Sequence, residues 1–260
     1  MIATSRVVAR SFQMQTKLRV IEPFAYLNVV IFPLIVTTIG LFLLSSRGHP
    51  GHAAYAILGG GLIGFWSLMY LNASNDINGE RWTGTLELLM GAPSSLAAIV
   101  VGKMLSSMLL GVCSFLPVLA LAFLGFHQFL PHVDAFPFTV SLILGVLTFF
   151  SVGMVLAPLN VMARWVFPLT NGTEILVFAF CGFMFPVSQL PGWVQVVSWL
   201  LPPSWAVRAL YASVGEPYGH SYALWWTLAV VSSGVYIAIS LLFFRYVERT
   251  SRVSGQLALV

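Results

Sequence analysis

The chain has 260 residues, of which 58% are apolar and only 8% are charged, and its formal net charge is +4. A soluble domain is typically about 45–50% apolar and about 25% charged, so this composition excludes a disordered chain and a soluble nucleic-acid-binding protein. The charged side chains are too few to cover a water-exposed surface of this size. We therefore expect most of the surface to face lipid.

Six apolar segments are each long enough to cross a bilayer, which takes roughly 20 helical residues. Helices are expected because a backbone in hydrocarbon must satisfy its polar groups within its own segment. The predicted spans are residues 24–45, 53–74, 96–126, 136–163, 169–188 and 222–247. The predicted fold class is thus an all-α integral membrane protein with six transmembrane helices, forming a single domain over residues 1–260.

The segment before the first span, residues 1–22, mixes four cations with apolar side chains. This pattern is typical of a basic amphipathic helix at the membrane interface, and a solvated basic anchor is the alternative. A cleaved signal peptide is not expected, because the apolar run that follows far exceeds the core of about 7–15 residues that a signal contains.

Lys and Arg residues are distributed unevenly between the two sides of the predicted topology. With the N-terminus inside, all twelve except Arg47 and Arg208 lie on the cytoplasmic side. Positive charge marks cytoplasmic loops. We therefore expect both termini in the cytoplasm.

The cytoplasmic stretch between spans two and three, residues 75–93, contains three of the chain's eight acidic residues. Its apolar residues recur at helical spacing, which predicts a short amphipathic helix ended by Gly91 and Pro93. The apolar positions are Trp82, Leu86, Leu89 and Met90, and the charged ones are Asp76, Glu80, Arg81 and Glu87. Such a helix can dock a soluble partner, and an interfacial loop without a partner is the alternative.

Residues 189–221 are too interrupted by Pro191, Pro202 and Pro203 to form a span. Their tryptophans are typical of an interfacial aromatic belt. Two short half-helices entering the outer leaflet fit this pattern if the turn between them is buried in protein. An outer gate and a simple aromatic anchor are both open interpretations.

Polar residues at membrane depth are functional candidates, because burying them in lipid is costly. A group of them occurs where spans four and five meet the cytosol, and Arg164 and Glu174 are a possible ion pair across that turn. Candidates for an inner gate or pathway are Asn160, Arg164, Asn171 and Glu174.

The run NGERWTGTLELLMGAPSSLAAIVVGKML resembles a loop of type-2 ATP-binding-cassette (ABC-2) transporter permeases. In that family an acidic-Arg pair precedes Gly-Thr-Leu-Glu, and Pro-Ser and Gly-Lys follow. Trp82 and Thr83 lengthen the spacing after the first pair. The resemblance implies a coupling helix gripped by a separate ATPase. The ATPase-coupling residues that it implies are Asp76, Glu80, Arg81, Thr85, Leu86, Glu87 and Leu89.

A second run, FMFPVSQLPGWVQVVSWLLPPSWAVRALYA, resembles the extracellular re-entrant helical hairpin that precedes span six in the same family. The resemblance favours the gate interpretation of residues 189–221. The outer-gate residues that it implies are Phe185, Pro186, Pro191, Trp193, Pro202 and Pro203.

The sequence lacks Gly-x-x-x-x-Gly-Lys-[Ser/Thr], since Gly102-Lys103 precedes Met104. We therefore expect no nucleotide cofactor on this chain. The predicted spans contain no His-Asp-Ser set, paired acids or metal-ligand cluster, so we expect no catalytic residue and no metal site. The resemblance implies that a partner ATPase binds ATP and Mg²⁺. The resemblance implies an exporter in the plasma membrane of a bacterium or archaeon that contains two permease copies, either as a homodimer or as a heterodimer. Its implied substrate is hydrophobic or amphipathic, such as a drug, antibiotic, lipid or lipid-linked glycan. A nucleic-acid partner is not expected. An ion-coupled secondary carrier and an intramembrane lipid-modifying enzyme are the alternatives.

Overall fold

The computed structural model describes residues 2–22, 26–46, 53–91, 94–127, 133–163, 165–215 and 221–254. All regular elements in these ranges are helices, which confirms the predicted all-α class. In chain order they are α1 (Ile2–Ile21), α2 (Phe32–Ser46, after a π-helical turn at Leu27–Ile31), α3 (Ala53–Trp82), α4 (Leu86–Gly91), α5 (Leu96–Gly125), α6 (Ala135–Met162), α7 (Val166–Cys181), α8 (Gly192–Leu200), α9 (Pro202–Ala212) and α10 (Tyr222–Ser254).

Four of the helices in the described ranges are long and apolar enough to cross a membrane, namely α3, α5, α6 and α10. Helices α2 and α7 are apolar but shorter. Each of these six helices overlaps one of the six predicted spans. The chain is therefore a multi-pass helical membrane protein, and the count of six spans stays a prediction.

Helix α3 lies at the centre of the bundle, and nearly all of its apolar part is buried. Glycines allow its neighbours to approach closely. A Cβ atom on Gly60 would lie 1.9 Å from Oγ1 of Thr37 in α2, and one on Gly61 would lie 2.4 Å from the Phe115 ring in α5. Larger residues at these positions would push α2 and α5 away from α3, so the glycines fix the packing within one chain.

Several helix boundaries differ from the predicted ones; α10, for example, continues to Ser254 beyond the predicted end at residue 247. Two of the differences lie at left-handed glycines. Helix α3 continues through the polar residues after Ser74 to Trp82, and only the six residues of α4 form a separate short helix. The break comes at Gly84, whose φ of +71° is left-handed. Helix α7 ends at Cys181, well before residue 188, because Gly182 adopts a φ of +74°. Glycine reaches this region without steric cost.

The predicted helices at the N-terminus and in residues 189–221 are both present. Helix α1 packs along α5, where a Cβ atom on Gly102 would lie 2.5 Å from the carbonyl oxygen of Val8. Helices α8 and α9 form a hairpin. Most of α9 is buried, with α6 and α10 as its main neighbours, whereas Trp193, Trp199 and Leu200 of α8 are exposed.

Candidate functional site

The junction between α3 and α4 is held by a carboxylate that makes contacts on two sides. The Nζ atom of Lys103 in α5 donates to Oε1 of Glu80 over 2.5 Å. The hydroxyl of Thr85, just before α4, donates to the other carboxylate oxygen of Glu80. Both members of the ion pair are largely buried. Glu80 therefore fixes the position of the turn at residues 83–85 relative to α5.

Helix α1 is tied to the same end of α3 through Asp76. The Arg19 guanidinium forms an ion pair with Asp76 and donates to Glu22 over 3.0 Å. The Gln15 side-chain amide donates to the same Asp76 oxygen over 3.0 Å. Arg19 and Gln15 were not among the predicted site residues, although their four-residue spacing places them on one face of a helix.

Arg81 contacts the C-terminal end of α6, which is predicted to lie on the cytoplasmic side. Its Nη2 atom donates to the carbonyl oxygens of Asn160 and Val161 over 2.9 and 2.8 Å. These carbonyls belong to the last turn of α6, where the helix itself supplies no donor. A cation also suits the negative end of the helix dipole. Arg81 therefore links the end of α3 to the end of α6.

Asn160 lies beside Arg81 in a buried polar cluster. Its side-chain amide donates to Oγ of Ser74 over 2.7 Å, and its Oδ1 atom accepts from Asn78 over 3.3 Å. The predicted inner-gate residue Asn160 and the predicted coupling residue Arg81 thus belong to one set of contacts between α3 and α6. These contacts connect two helices whose residues are about 80 positions apart in the sequence.

The apolar residues of the α3–α4 junction divide into an inner and an outer set. Leu86 is only 6% exposed and packs in the core of the chain, and Leu89 is half-buried. Trp82 is 79% exposed and Leu88 is 73% exposed. Among the described side chains, the exposed face of this junction therefore includes Trp82, Leu88 and the turn at Thr83 and Gly84.

A carboxylate from α10 holds the start of α5, the helix that follows α4. Oε1 of Glu248 accepts from the backbone N–H of Leu96 over 2.7 Å and from the Ser95 hydroxyl over 3.1 Å. A carboxylate at this position satisfies one of the free N–H groups at the start of α5 and suits the positive end of its dipole. The segment between α3 and α5 is thus fastened at both ends.

The predicted outer-gate residues lie around the α8–α9 hairpin. Pro202 and Pro203 are buried at the start of α9, and Trp193 is exposed on α8, with its ring centroid 6.4 Å from that of Phe180. Phe185, Pro186 and Pro191 lie in the connection from α7 to α8 and are partly buried or exposed. The structure therefore places all six residues in one region.

Tyr211 of α9 joins that region to α3 and was not among the predicted gate residues. Its hydroxyl donates to the backbone carbonyl of Phe183, and its ring stacks on Tyr55 with centroids 4.2 Å apart. Tyr211 thus holds the end of α7 against the hairpin. No sequence motif distinguishes it from the other tyrosines.

The remaining inner-gate candidates are only partly described. The neighbour of Glu174, Thr173, forms a hydrogen bond of 2.7 Å with the Tyr70 hydroxyl of α3. Arg164 and the side chains of Asn171 and Glu87 lie outside the described residues. The proposed ion pair between Arg164 and Glu174 therefore stays a prediction. Within the described ranges, no three His, Cys, Asp or Glu side chains are placed to hold a metal ion.

The fold and this junction define the class of protein. It is a multi-pass helical membrane protein in which the segment between α3 and α5 is held in place at both ends. A family model described as ABC-2 type transporter matches residues 6–214. The match covers α1 to α9 and includes the junction and the hairpin. The chain therefore belongs to the ABC-2 family and is a transmembrane permease subunit of an ABC transporter. No curated protein matches the chain.

Proposed function

We propose that this chain is the membrane subunit of an ATP-driven exporter whose ATP is hydrolysed by a separate ATPase subunit. The observation that carries the proposal is the α3–α4 junction, which is fastened from inside and exposed on its outer face. Glu80 and Arg81 hold the junction to α5 and α6, while Trp82 and Leu88 remain exposed. Force applied to that outer face is therefore passed to several long helices at once.

Six of the seven predicted coupling residues have a place in this proposal, and the seventh, Glu87, has a side chain outside the described residues. Trp82 and Leu88, with the turn before α4, form the docking surface for the ATPase, since exposed apolar residues on a short helix suit a groove in a partner. The other described residues act from inside by holding the junction. They are Asp76, Glu80, Arg81, Thr85, Leu86 and Leu89.

The proposed transporter lies in the plasma membrane with both termini and the junction in the cytoplasm. It contains two permease copies and two ATPases, as the family resemblance implies. The cargo is a hydrophobic or amphipathic molecule such as a drug, antibiotic, lipid or lipid-linked glycan. The apolar lining between the helices of this chain supports such a cargo.

The experiment is co-purification and reconstitution of the chain with a candidate ATP-binding-cassette protein, sought among the products of the genes beside its own. Leu88→Asp places a charge on the docking surface, and we expect it to reduce the bound ATPase and the permease-stimulated ATP hydrolysis at least about tenfold, as loss of an apolar anchor does at other interfaces. Arg249→Asp is the matched control, because Arg249 is exposed on α10 on the same proposed side.

Two results would contradict the proposal. ATP binding or hydrolysis by the purified chain alone would mean that it needs no ATPase partner. Labelling of a cysteine at position 83 from the outer side of intact cells would place the junction on the wrong side of the membrane.

A further inference from the structure

A cavity of about 270 Å³ lies between α3, α5, α6 and α9, in the half of the bundle that contains the hairpin. Its wall is apolar and includes Phe115 of α5, Leu142 of α6 and Val207 of α9. The Ser141 hydroxyl also lines it, but this oxygen already accepts from Nε1 of Trp226 over 3.0 Å. The cavity therefore offers almost nothing that would hold water.

Two glycines of α6 show where α5 and α6 separate. A Cβ atom on Gly153 would lie 2.2 Å from Cε of Met104 in α5, so the two helices are in close contact there. About two turns away, Gly145 is buried and lines the cavity, yet no atom would lie within 4 Å of its Cβ atom. Helices α5 and α6 thus meet at one end and diverge around Gly145.

The cavity reaches the outside of the bundle along α5. Val112 and Leu119 line it and are also 46% and 42% exposed. Both α5 and α6 are membrane-crossing helices by length and composition. Val112 and Leu119 lie within the apolar helix α5, so we expect the mouth beside them to open onto the hydrocarbon part of the bilayer.

We propose that this cavity binds one acyl chain of a membrane lipid, which enters between α5 and α6. An apolar cavity of about 150 Å³ in a protein interior stays dry and accepts apolar molecules, and this one is larger and has a mouth. The described lining residues include no ionisable side chain, so the lipid is recognised by its acyl chain and its headgroup stays outside. The acyl chain in the cavity fills the space between α5 and α6.

The proposal rests on the membrane placement of the chain and not on the ATPase partner. It can therefore fail while the proposed transport function holds, and the reverse is also true. The test uses the purified full chain in vesicles of phosphatidylethanolamine and phosphatidylglycerol that contain a phosphatidylethanolamine with a diazirine on one acyl chain. After illumination, mass spectrometry locates the labelled residues.

We expect label on Phe115 and Leu142, which face the cavity. Gly145→Leu and Val146→Phe each fill the space from a different position, and either should reduce this label at least about tenfold, since the loss of about two buried methylene contacts already has that effect. Gly234→Leu is the control, because Gly234 is exposed on α10 and has open space around it. It should leave the label unchanged.

Two outcomes would overturn the proposal. One is label on Phe115 and Leu142 that stays at the wild-type level in both filled variants. The other is label confined to lipid-facing residues such as Ile143, which is exposed on α6. A diazirine attached to the lipid headgroup should give no label at Phe115, and strong label from it would show that a headgroup enters the cavity instead.

Discussion

Lys103 of α5 and Glu80 at the end of α3 form a largely buried ion pair with an Nζ–Oε1 distance of 2.5 Å. Because Glu80 also accepts from Thr85, this pair fixes the exposed turn before α4 to a membrane-crossing helix. Removing either partner leaves the other charge in a poorly solvated place.

We therefore expect Lys103→Met to lower the free energy of unfolding by about 1–3 kcal/mol, the cost of an unpaired buried polar group. Glu80→Gln combined with Lys103→Met should cost less than the sum of the single substitutions. Thermal unfolding of the four proteins in detergent measures the coupling. Additive effects would mean that the pair contributes nothing to the junction.

The contact between α1 and α5 depends on the absence of a side chain at Gly102. A Cβ atom there would lie 2.6 Å from Cβ of Ser11, so Gly102→Leu should displace α1 and destabilise the protein by about 1–3 kcal/mol. A disulfide engineered between α1 and α5 should form more slowly in this variant. Gly79→Leu is the control, because Gly79 is exposed on α3 with no atom near its Cβ position. Equal effects of the two substitutions would contradict the prediction.

Arg81 links the ends of α3 and α6 through two carbonyl oxygens. Arg81→Ala should reduce stability by about 1.5–3 kcal/mol, since hydrogen bonds from a charged donor are lost. Arg81→Lys should restore only part of it, because one ammonium nitrogen can replace Nη2 at the two carbonyls but cannot also supply the contact from Nη1 to Oδ1 of Asn78. Hydrogen exchange should rise in the last turn of α6 in Arg81→Ala. Unchanged exchange there would contradict the assigned role.

Tyr211→Phe removes the hydroxyl of that side chain and keeps its ring. We expect the free energy of unfolding to fall by about 1 kcal/mol or more, because the Phe183 carbonyl is left unpaired. The stacking on Tyr55 should be retained. Cysteines placed at the end of α7 and in α8 should cross-link less efficiently. Tyr222→Phe is the control, because its hydroxyl donates to Ala212 at the other end of the hairpin. A larger effect of the control would argue against a role for Tyr211 in holding α7.

The helices themselves could be predicted well from the sequence. Long apolar runs place the chain in a membrane, and a backbone in hydrocarbon has to be helical, so each predicted span overlaps a helix. The short helices of the hairpin follow from proline positions such as Pro202, which starts α9. The boundaries were less accurate at Trp82 and Cys181, because Gly84 and Gly182 act as helix stops only in the left-handed conformation that the structure selects.

The sequence alone determined that this chain is a helical membrane protein with a polar junction and a proline-broken hairpin, since hydropathy and backbone hydrogen bonding are local properties. Tertiary structure decided which residues meet. Asp76 pairs with Arg19, 57 positions away, and Leu86 is turned inward although its neighbour Leu88 is exposed. These contacts depend on how α1, α3, α5 and α6 pack, and no periodicity within a single segment carries that information.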